Sequence, residues 1–377
     1  MKKFINNSFT GYIEGYYGKI LTWSQRRKII KKLYDTKMSH YLYAPKSDLF
    51  HRKKWREGYS SNWLKSFTNF TNYSKKKNIT IIAGISPGLD ISFQENEIKK
   101  ELEFLTNKSK LLIENGADEI AILFDDVPKN TSLLEDYLET DGDYHAFFIN
   151  KLGENLNKDL FVVPKIYAYE LKYSDQNYIE RFLKKLNNNH KLFFCGKNIV
   201  ARDKRDLSFI LNTQNQIIVW DNIYANDYCP KKLVISPWKH RENIKSIMIN
   251  PTGLIETDLL ILDLMSLVLG KVDPNLAWLQ IQKKYKIPKE INMLEEFLDP
   301  YHIYNEKFSF TDKKIDKIIY SIDQLLWKWH SPLALEWYPY LYNLKQDFVI
   351  SCKNPEKNVI AKTQTIPFSS YILTQKN

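Results

Sequence analysis

The chain has 377 residues, 44% of them hydrophobic and 26% charged, the balance of a soluble globular protein with room for one domain of about 250 residues and a smaller appendage. Three cysteines, Cys195, Cys229 and Cys352, lie far apart with no CxxC pair, which excludes a disulfide framework and fits a reducing compartment. The net charge of +11 raises nucleic acid as a partner, but the basic runs near Arg26, Lys31, Arg52 and Lys75 are interspersed with Glu and Asp and carry no nucleic-acid-binding motif, so a solvated basic surface is expected.

The N-terminus begins with lysines but lacks the apolar core of a signal peptide. No stretch approaches the roughly 18 apolar residues of a membrane span. A cytoplasmic protein with no membrane partner is expected, with signal-independent export left open.

Short apolar runs alternate with amphipathic segments through the first 270 residues. Strands are expected at Gly11–Tyr17, His40–Pro45, Thr80–Pro87, Glu119–Asp126, Leu160–Tyr167, Lys191–Gly196, Gln216–Asn222 and Ser246–Pro251. Helices are expected between them, at Trp23–Asp35, Asn62–Lys76, Glu95–Asn115, Asp143–Asn157, Asp175–Leu186 and Lys204–Asn212. A weak helix near His240–Lys245 and a helix at Glu256–Leu269 complete the pattern. Eight strands that each lead to a helix predict an α/β fold, a (β/α)8 TIM barrel over residues 1–270. The rival, a doubly wound sheet, fits less well because the first turn is not glycine-rich. Polar residues gather at the strand ends, the rim where such a barrel builds its site: Glu14, Lys46, Asp90, Asp125, Asp126, Tyr167, Asp221, Asn222 and Asn250.

Beyond Gly270 the periodicity is helical only, at Leu276–Lys284, Ile291–Leu298, Ile315–Trp329 and Leu333–Phe348, which predicts a helical C-terminal domain over 271–350. Residues 351–377 read as a polar tail. The aromatic stretches Trp327–Trp329 and Trp337–Tyr340 are expected to pack that domain, with a partner surface or a homodimer through it as the alternative.

The stretch EIAILFDDVP, residues 119–128, drives a buried strand into two adjacent carboxylates, Asp125 and Asp126. Two unit charges about 5 Å apart at an effective dielectric near 20 repel by roughly 3 kcal/mol, enough to raise one of the two pKa values by about 2. One acid then stays protonated beside an ionised neighbour, a division of labour suited to cleaving a glycosidic bond. An isolated Asp-Asp after a strand is also a common helix cap or surface pair. Moreover, adjacent carboxylates span poorly the gap of about 5 Å or more that a nucleophile and an acid need. A substrate that supplies its own nucleophile through a 2-acetamido group removes that requirement. Elsewhere, the alternating Asp141, Asp143 and His145 read as a helix start rather than a metal site. The histidines lack zinc spacing, and neither metal nor cofactor is expected.

The segments GYIEGYYG (11–18), YLYAPK (41–46), HRKKWRE (51–57), ISPGLDI (85–91), ILFDD (122–126) and VWDNIYANDY (219–228) together resemble glycoside hydrolase family 84, in the family's order and spacing. The resemblance implies a (β/α)8 catalytic barrel and a retaining β-N-acetylglucosaminidase that works through an oxazoline. It implies that Asp125 orients the acetamido group and that Asp126 acts as acid and then base. It further implies that Gly15, Lys46, Tyr167, Trp220, Asn222, Asp227 and Asn250 bind the substrate. Trp220 would wall the N-acetyl methyl, Asn222 would lie near the acetamide, Tyr167 would assist near the oxazoline, and Asp227 would hold the 4- and 6-hydroxyls. Lys46, Asn250 and the carbonyl of Gly15 would meet other hydroxyls.

The chain departs from the family at Lys19–Trp23, Lys165–Ile166 and Cys195, which bears on the pose of Tyr167 and on the rim beyond the first sugar. The implied substrate is GlcNAc O-linked to Ser or Thr of proteins. The alternatives are a hyaluronidase or glycan-trimming hexosaminidase, or a non-catalytic GlcNAc-binding protein. A chain without signal peptide or accessory domain weighs against extracellular glycan degradation.

Overall fold

Eight short runs rich in β-branched and aromatic residues pair in parallel, each with its neighbour in the chain, and the last closes on the first. The computed structural model describes residues 8–127, 141–174, 177–208, 211–299, 312–353 and 363. Its strands are β1 (Thr10–Glu14), β2 (His40–Tyr43), β3 (Thr80–Ile85), β4 (Glu119–Leu123), β5 (Phe161–Val163), β6 (Lys191–Phe194), β7 (Gln216–Asp221) and β8 (Ile247–Ile249). They form a closed barrel in chain order, sealed where Thr10 pairs with Ile247 and Gly11 with Met248. The expected (β/α)8 architecture is the one present. Each expected strand starts within about a residue of its observed start but runs past its observed end. The excess residues leave the sheet ladder and form the rim.

Alternate residues fill the barrel. Ile13, Leu42, Ile82, Leu123, Val163, Phe193, Ile218 and Met248 belong to one buried interior cluster, so the barrel is a packed core rather than a pore. Among the described residues six helices surround it, α1 (Trp23–Asp35), α2 (Ser61–Lys75), α3 (Glu95–Glu114), α4 (Asp141–Leu156), α5 (Tyr178–Lys185) and α6 (Lys204–Leu207), and α7 (Ile255–Leu269) follows β8 in the chain. The start of α1 is set locally. The Thr22 hydroxyl accepts the Gln25 N–H at 3.2 Å while the Gln25 side chain accepts the Thr22 N–H at 2.9 Å, a capping box that contributes about 1 kcal/mol.

The weak helix expected near His240–Lys245 is absent, and no helix joins β7 to β8. His240 takes a left-handed backbone, φ 70°, which breaks helical continuation, and the buried Arg241 donates to the Lys239 carbonyl at 2.9 Å. The helix expected over Lys204–Asn212 ends at Leu207, and a 3-10 helix at Tyr169–Ser174 was not signalled by periodicity.

Two compact units divide the chain: Met1–Asn222 with Asn243–Gly253, which holds all eight strands, and Ile223–Glu242 with Leu254–Asn377. Thus α7 counts with the second unit, one helix earlier than the expected division at 270. The second unit also contains α8 (Pro274–Lys284), α9 (Glu295–Leu298), α10 (Asp312–Trp327) and α11 (Pro332–Lys353). The residue before α7, Leu254, has no capping side chain, and Glu336 on α11 supplies one by accepting the N–H groups of Glu256 and Thr257 at 3.1 and 2.7 Å. Trp337 beside it is fully buried, donates to the Thr257 hydroxyl at 2.8 Å and packs edge-on against Trp329. Trp327, Tyr338 and Tyr342 stay substantially exposed, so only part of the aromatic stretch packs the unit.

Of the polar tail, residues 354–362 and 364–377 lie outside the described residues. Residues 351–353 end α11, and Thr363 is placed with its N–H and hydroxyl both on Asp347 Oδ2. Among the described residues no helix is long and apolar enough to cross a membrane.

Candidate active site at the strand ends

Side chains alternate along a strand, so a residue two beyond the last interior side chain opens into the barrel mouth. Ile13 leads to Gly15, Ala44 to Lys46, Leu123 to Asp125, Trp220 to Asn222 and Met248 to Asn250, and the first member of each pair belongs to the interior cluster. Simple parity therefore delivers Gly15, Lys46, Asp125, Asn222 and Asn250 to one ring, with Trp220 as their floor.

Asp125 and Lys46 face each other across this ring. The Lys46 ammonium donates to Asp125 Oδ2, and both side chains are nearly excluded from solvent. Asp125 Oδ1 is buried and has no hydrogen-bond partner among the described residues. A buried carboxylate oxygen is rarely left so, because the missing bond costs about 1–3 kcal/mol or more. The oxygen is an acceptor available to an N–H or O–H donor from a ligand.

Asp126 breaks the parity. Continuing β4 would turn it away from the mouth, but its backbone is left-handed at φ 53°. That conformation costs a non-glycine residue roughly 1–2 kcal/mol, with aspartate among the more tolerant. It brings the exposed carboxylate under two hydroxyls: Tyr17 donates to Oδ2 and Tyr167 to Oδ1, each at 2.8 Å. Burial first, and then the charge of Asp126, push both phenols well above their ordinary pKa, so both act as donors. Arg52 backs the arrangement. One guanidinium nitrogen donates to the Tyr17 hydroxyl and another to the Asp126 carbonyl, both at 2.7 Å. Its neighbour His51 is fully buried, and desolvation, then Lys46, push its pKa down to about 3. The ring is neutral, and its Nδ1 donates to the Gly84 carbonyl at 2.8 Å.

Opposite the carboxylates lies a network of amides. Asn222 Oδ1 accepts from Trp220 Nε1 at 2.8 Å and from Asn250 Nδ2 at 2.9 Å, while Asn222 Nδ2 donates to the Ile199 carbonyl at 3.1 Å. The Gly15 N–H donates to Asn250 Oδ1 at 3.2 Å. A Cβ on Gly15 would lie 2.6 Å from the Trp220 ring, so only glycine lets this backbone approach the indole. The buried Cys195 sits behind Asn222, and its N–H donates to the Tyr167 carbonyl at 2.8 Å. That bond ties the Tyr167 backbone to the end of β6.

The site thus pairs a shielded carboxylate, held by an ammonium and carrying one open acceptor, with an exposed carboxylate held by two hydroxyls. The first can grip and orient a donor. The second can exchange a proton with a ligand at the mouth.

Eight of the nine expected site residues meet here. Asp227 is half-buried after β7 and belongs to the second unit. Two rim residues expected from their position do other work. Glu14 is fully buried in a bidentate pair with Arg26, at 2.8 Å for both contacts, and also receives the Tyr41 hydroxyl. Asp90 holds Trp55 Nε1 at 2.8 Å and Arg56 at 2.6 Å. Asp141 and Asp143 lie in the first turn of α4 and pair with Lys165 and Arg181 at 2.7 and 2.5 Å. His145 lies flat on Phe124 at 3.7 Å. Among the described residues no group of three or more His, Cys, Asp and Glu could hold a metal. Sequence reasoning assigned no role to Tyr17 or Arg52, although both fall inside quoted motifs. Nothing in their type or spacing marks them until the fold brings their loops to Asp126.

A family model described as beta-N-acetylglucosaminidase matches residues 10–259. Proteins named Protein O-GlcNAcase from Rattus norvegicus and Mus musculus are each 28% identical over 264 residues, 66% of this chain. The matched stretch spans 28% of the length of these curated relatives. Among solved structures, a point mutant of an O-GlcNAc hydrolase from Thermobaculum terrenum superposes with a TM-score of 0.74 at 21% identity, covering 93% of this chain and 85% of that one.

Proposed function

The chain belongs to the β-N-acetylglucosaminidase family, glycoside hydrolase family 84, and on that premise we propose that it is a retaining exo-β-N-acetylglucosaminidase that cleaves through an oxazoline. The observation that carries the reading is the division between the two aspartates. Asp125 offers to a donor one buried oxygen that has no partner among the described residues, and Asp126 is turned by its backbone into the mouth beside it. Asp125 Oδ1 accepts the acetamido N–H and aims the carbonyl oxygen at the anomeric carbon. As the C–O bond breaks, Asp126 gives its proton to the departing oxygen. Water then opens the oxazoline while Asp126 takes a proton from it, and two inversions leave the configuration retained. A nucleophile carried by the substrate explains how adjacent carboxylates suffice where a protein nucleophile needs about 5 Å of separation from the acid.

Lys46 holds Asp125 and reaches a sugar hydroxyl, and Trp220 walls the acetamido methyl. Asn222, whose oxygen already serves Trp220 and Asn250, keeps that wall in place next to the acetamide. Gly15 and Asn250 line the hydroxyl side, and Tyr167 steadies Asp126 near the oxazoline. Asp227 keeps its assignment to the 4- and 6-hydroxyls on the resemblance alone. The substrate is GlcNAc O-linked to Ser or Thr of proteins, a choice supported by the names of the curated relatives.

Hydrolysis of an aryl β-N-acetylglucosaminide by the wild type and by Asp126→Asn tests the acid, whose absence should cost about 10²–10⁴-fold with poor leaving groups. An N-trifluoroacetyl substrate tests the nucleophile, since a poorer carbonyl donor must slow turnover. An unchanged rate, or an inverted first product, refutes the oxazoline. Binding without turnover by the wild type identifies a lectin-like protein instead.

A further inference from the structure

Asp125 reaches the mouth by strand alternation alone, whereas Asp126 needs an unfavourable backbone to do so, and something must hold it there. We propose that Arg52 is the positioning residue for Asp126: its guanidinium fixes at once the carbonyl that defines the left-handed turn and the hydroxyl that orients the carboxylate. The inference rests on the proton-transfer role proposed for Asp126. One nitrogen of Arg52 donates to the Asp126 carbonyl and another to Tyr17, whose own proton goes to Asp126 Oδ2. A planar guanidinium has the fixed fork geometry for two divergent acceptors, which a lysine ammonium lacks. Arg52 is buried, so water competes poorly for these bonds. The three residues come from three loops, after β1, β2 and β4, so the fork also ties those loops together at the acid. Neighbouring arginines are engaged elsewhere: Arg56 with Asp90 and Glu101, Arg26 with Glu14. The Lys46–Asp125 pair is held by its own contact, and the bonds of the fork go to Tyr17 and Asp126 instead.

The consequence is selective. Loss of Arg52 should weaken proton transfer and leave the grip on the acetamido group intact. The experiment measures kcat/KM for Arg52→Gln, Arg52→Lys and Tyr17→Phe on aryl β-N-acetylglucosaminides of graded leaving-group acidity. It uses the full chain and adds the same substitutions in an Asp126→Asn background. Arg52→Gln should lose about 10–100-fold on the poorest leaving group and about threefold or less on a dinitrophenolate, because a good leaving group needs no acid. Arg52→Lys should lose less. Tyr17→Phe, which keeps the carbonyl bond and removes the relay, should show the same trend more weakly.

In Asp126→Asn the Arg52 substitution should add less than about threefold across the series, as expected for residues acting as one unit. A loss uniform across leaving groups, or one that is fully retained in Asp126→Asn, overturns the inference and makes Arg52 a general structural residue. Should Arg52→Gln fail to fold, Arg52→Lys and Tyr17→Phe decide by the same criterion. If Asp126→Asn itself keeps the wild-type dependence on leaving group, the acid assignment falls and the inference with it, a pattern distinct from failure of Arg52 alone.

Discussion

Replacing Lys46 with methionine isolates the charge that holds Asp125. The substitution keeps an unbranched apolar stem of similar length, so the packing of a side chain that is 1% exposed is largely retained. What disappears is the ammonium on Oδ2 of a carboxylate that is itself only 8% exposed and whose other oxygen has no partner among the described residues. Removing one partner of a buried pair leaves the other charge uncompensated and costs about 3–5 kcal/mol. Asp125→Asn strands the ammonium in the same way. The double variant Lys46→Met with Asp125→Asn buries no charge at all, so it should lie within about 2 kcal/mol of wild type, more stable than either single change. Equilibrium urea unfolding of the four proteins closes the cycle, and the coupling should be about 3 kcal/mol or more. All three variants should also lose turnover, which separates the stability of the pair from its use. Additive losses, or a Lys46→Met cost under about 1 kcal/mol, would refute the claim that the two groups form one buried charge pair at the barrel mouth.

Gly15→Ala places a Cβ 2.6 Å from the Trp220 ring. It should cost about 1–3 kcal/mol and weaken binding of a GlcNAc-derived inhibitor, read by calorimetry, as the acetamide wall is displaced. His51 has a folded pKa near 3 against an ordinary 6.5, so between those values the unfolded chain binds the extra proton. Its contribution is intact above pH 6.5 and is lost as pH falls toward 3, with a slope of up to about 1.4 kcal/mol per pH unit. His51→Gln should therefore flatten the acid side of a stability–pH curve, and an unchanged curve would remove His51 as a source of acid sensitivity. Arg26→Met strands the buried Glu14 and should cost about 3–5 kcal/mol in urea unfolding. It should leave the dependence of kcat/KM on leaving group unaltered, the reverse of what is expected for Arg52.

How far the site could be read from residue order follows from two different kinds of geometry. Strand alternation has a fixed period, so once Ile13, Ala44, Leu123, Trp220 and Met248 are recognised as interior, the residues two further on fall into the mouth without further information. Lys46, Asp125, Asn222 and Asn250 are legible as strand-end polar residues and Gly15 only through the family resemblance, and all five coincide with that period. The same rule mislocates Asp126, which alternation turns outward and which reaches the mouth only through a positive φ that no residue type announces when glycine is absent. Alternation places Glu14 correctly, one step out of phase with Gly15 and facing Arg26 behind the barrel, and only its position near a strand end makes it look like a rim residue. Arg52 and Tyr17 are more hidden still. Each is an ordinary residue of a loop, and only the convergence of the loops after β1, β2 and β4 gives it a partner. The link between β7 and β8 was misread for a related reason: the apolar and basic residues around His240 satisfy a helical count, but Pro237 and the left-handed His240 interrupt the backbone that would realise it. Periodic elements can be placed by counting. A side chain whose position depends on one dihedral angle, as for Asp126, or on loops distant in sequence, as for Arg52 and Tyr17, is placed only by the fold.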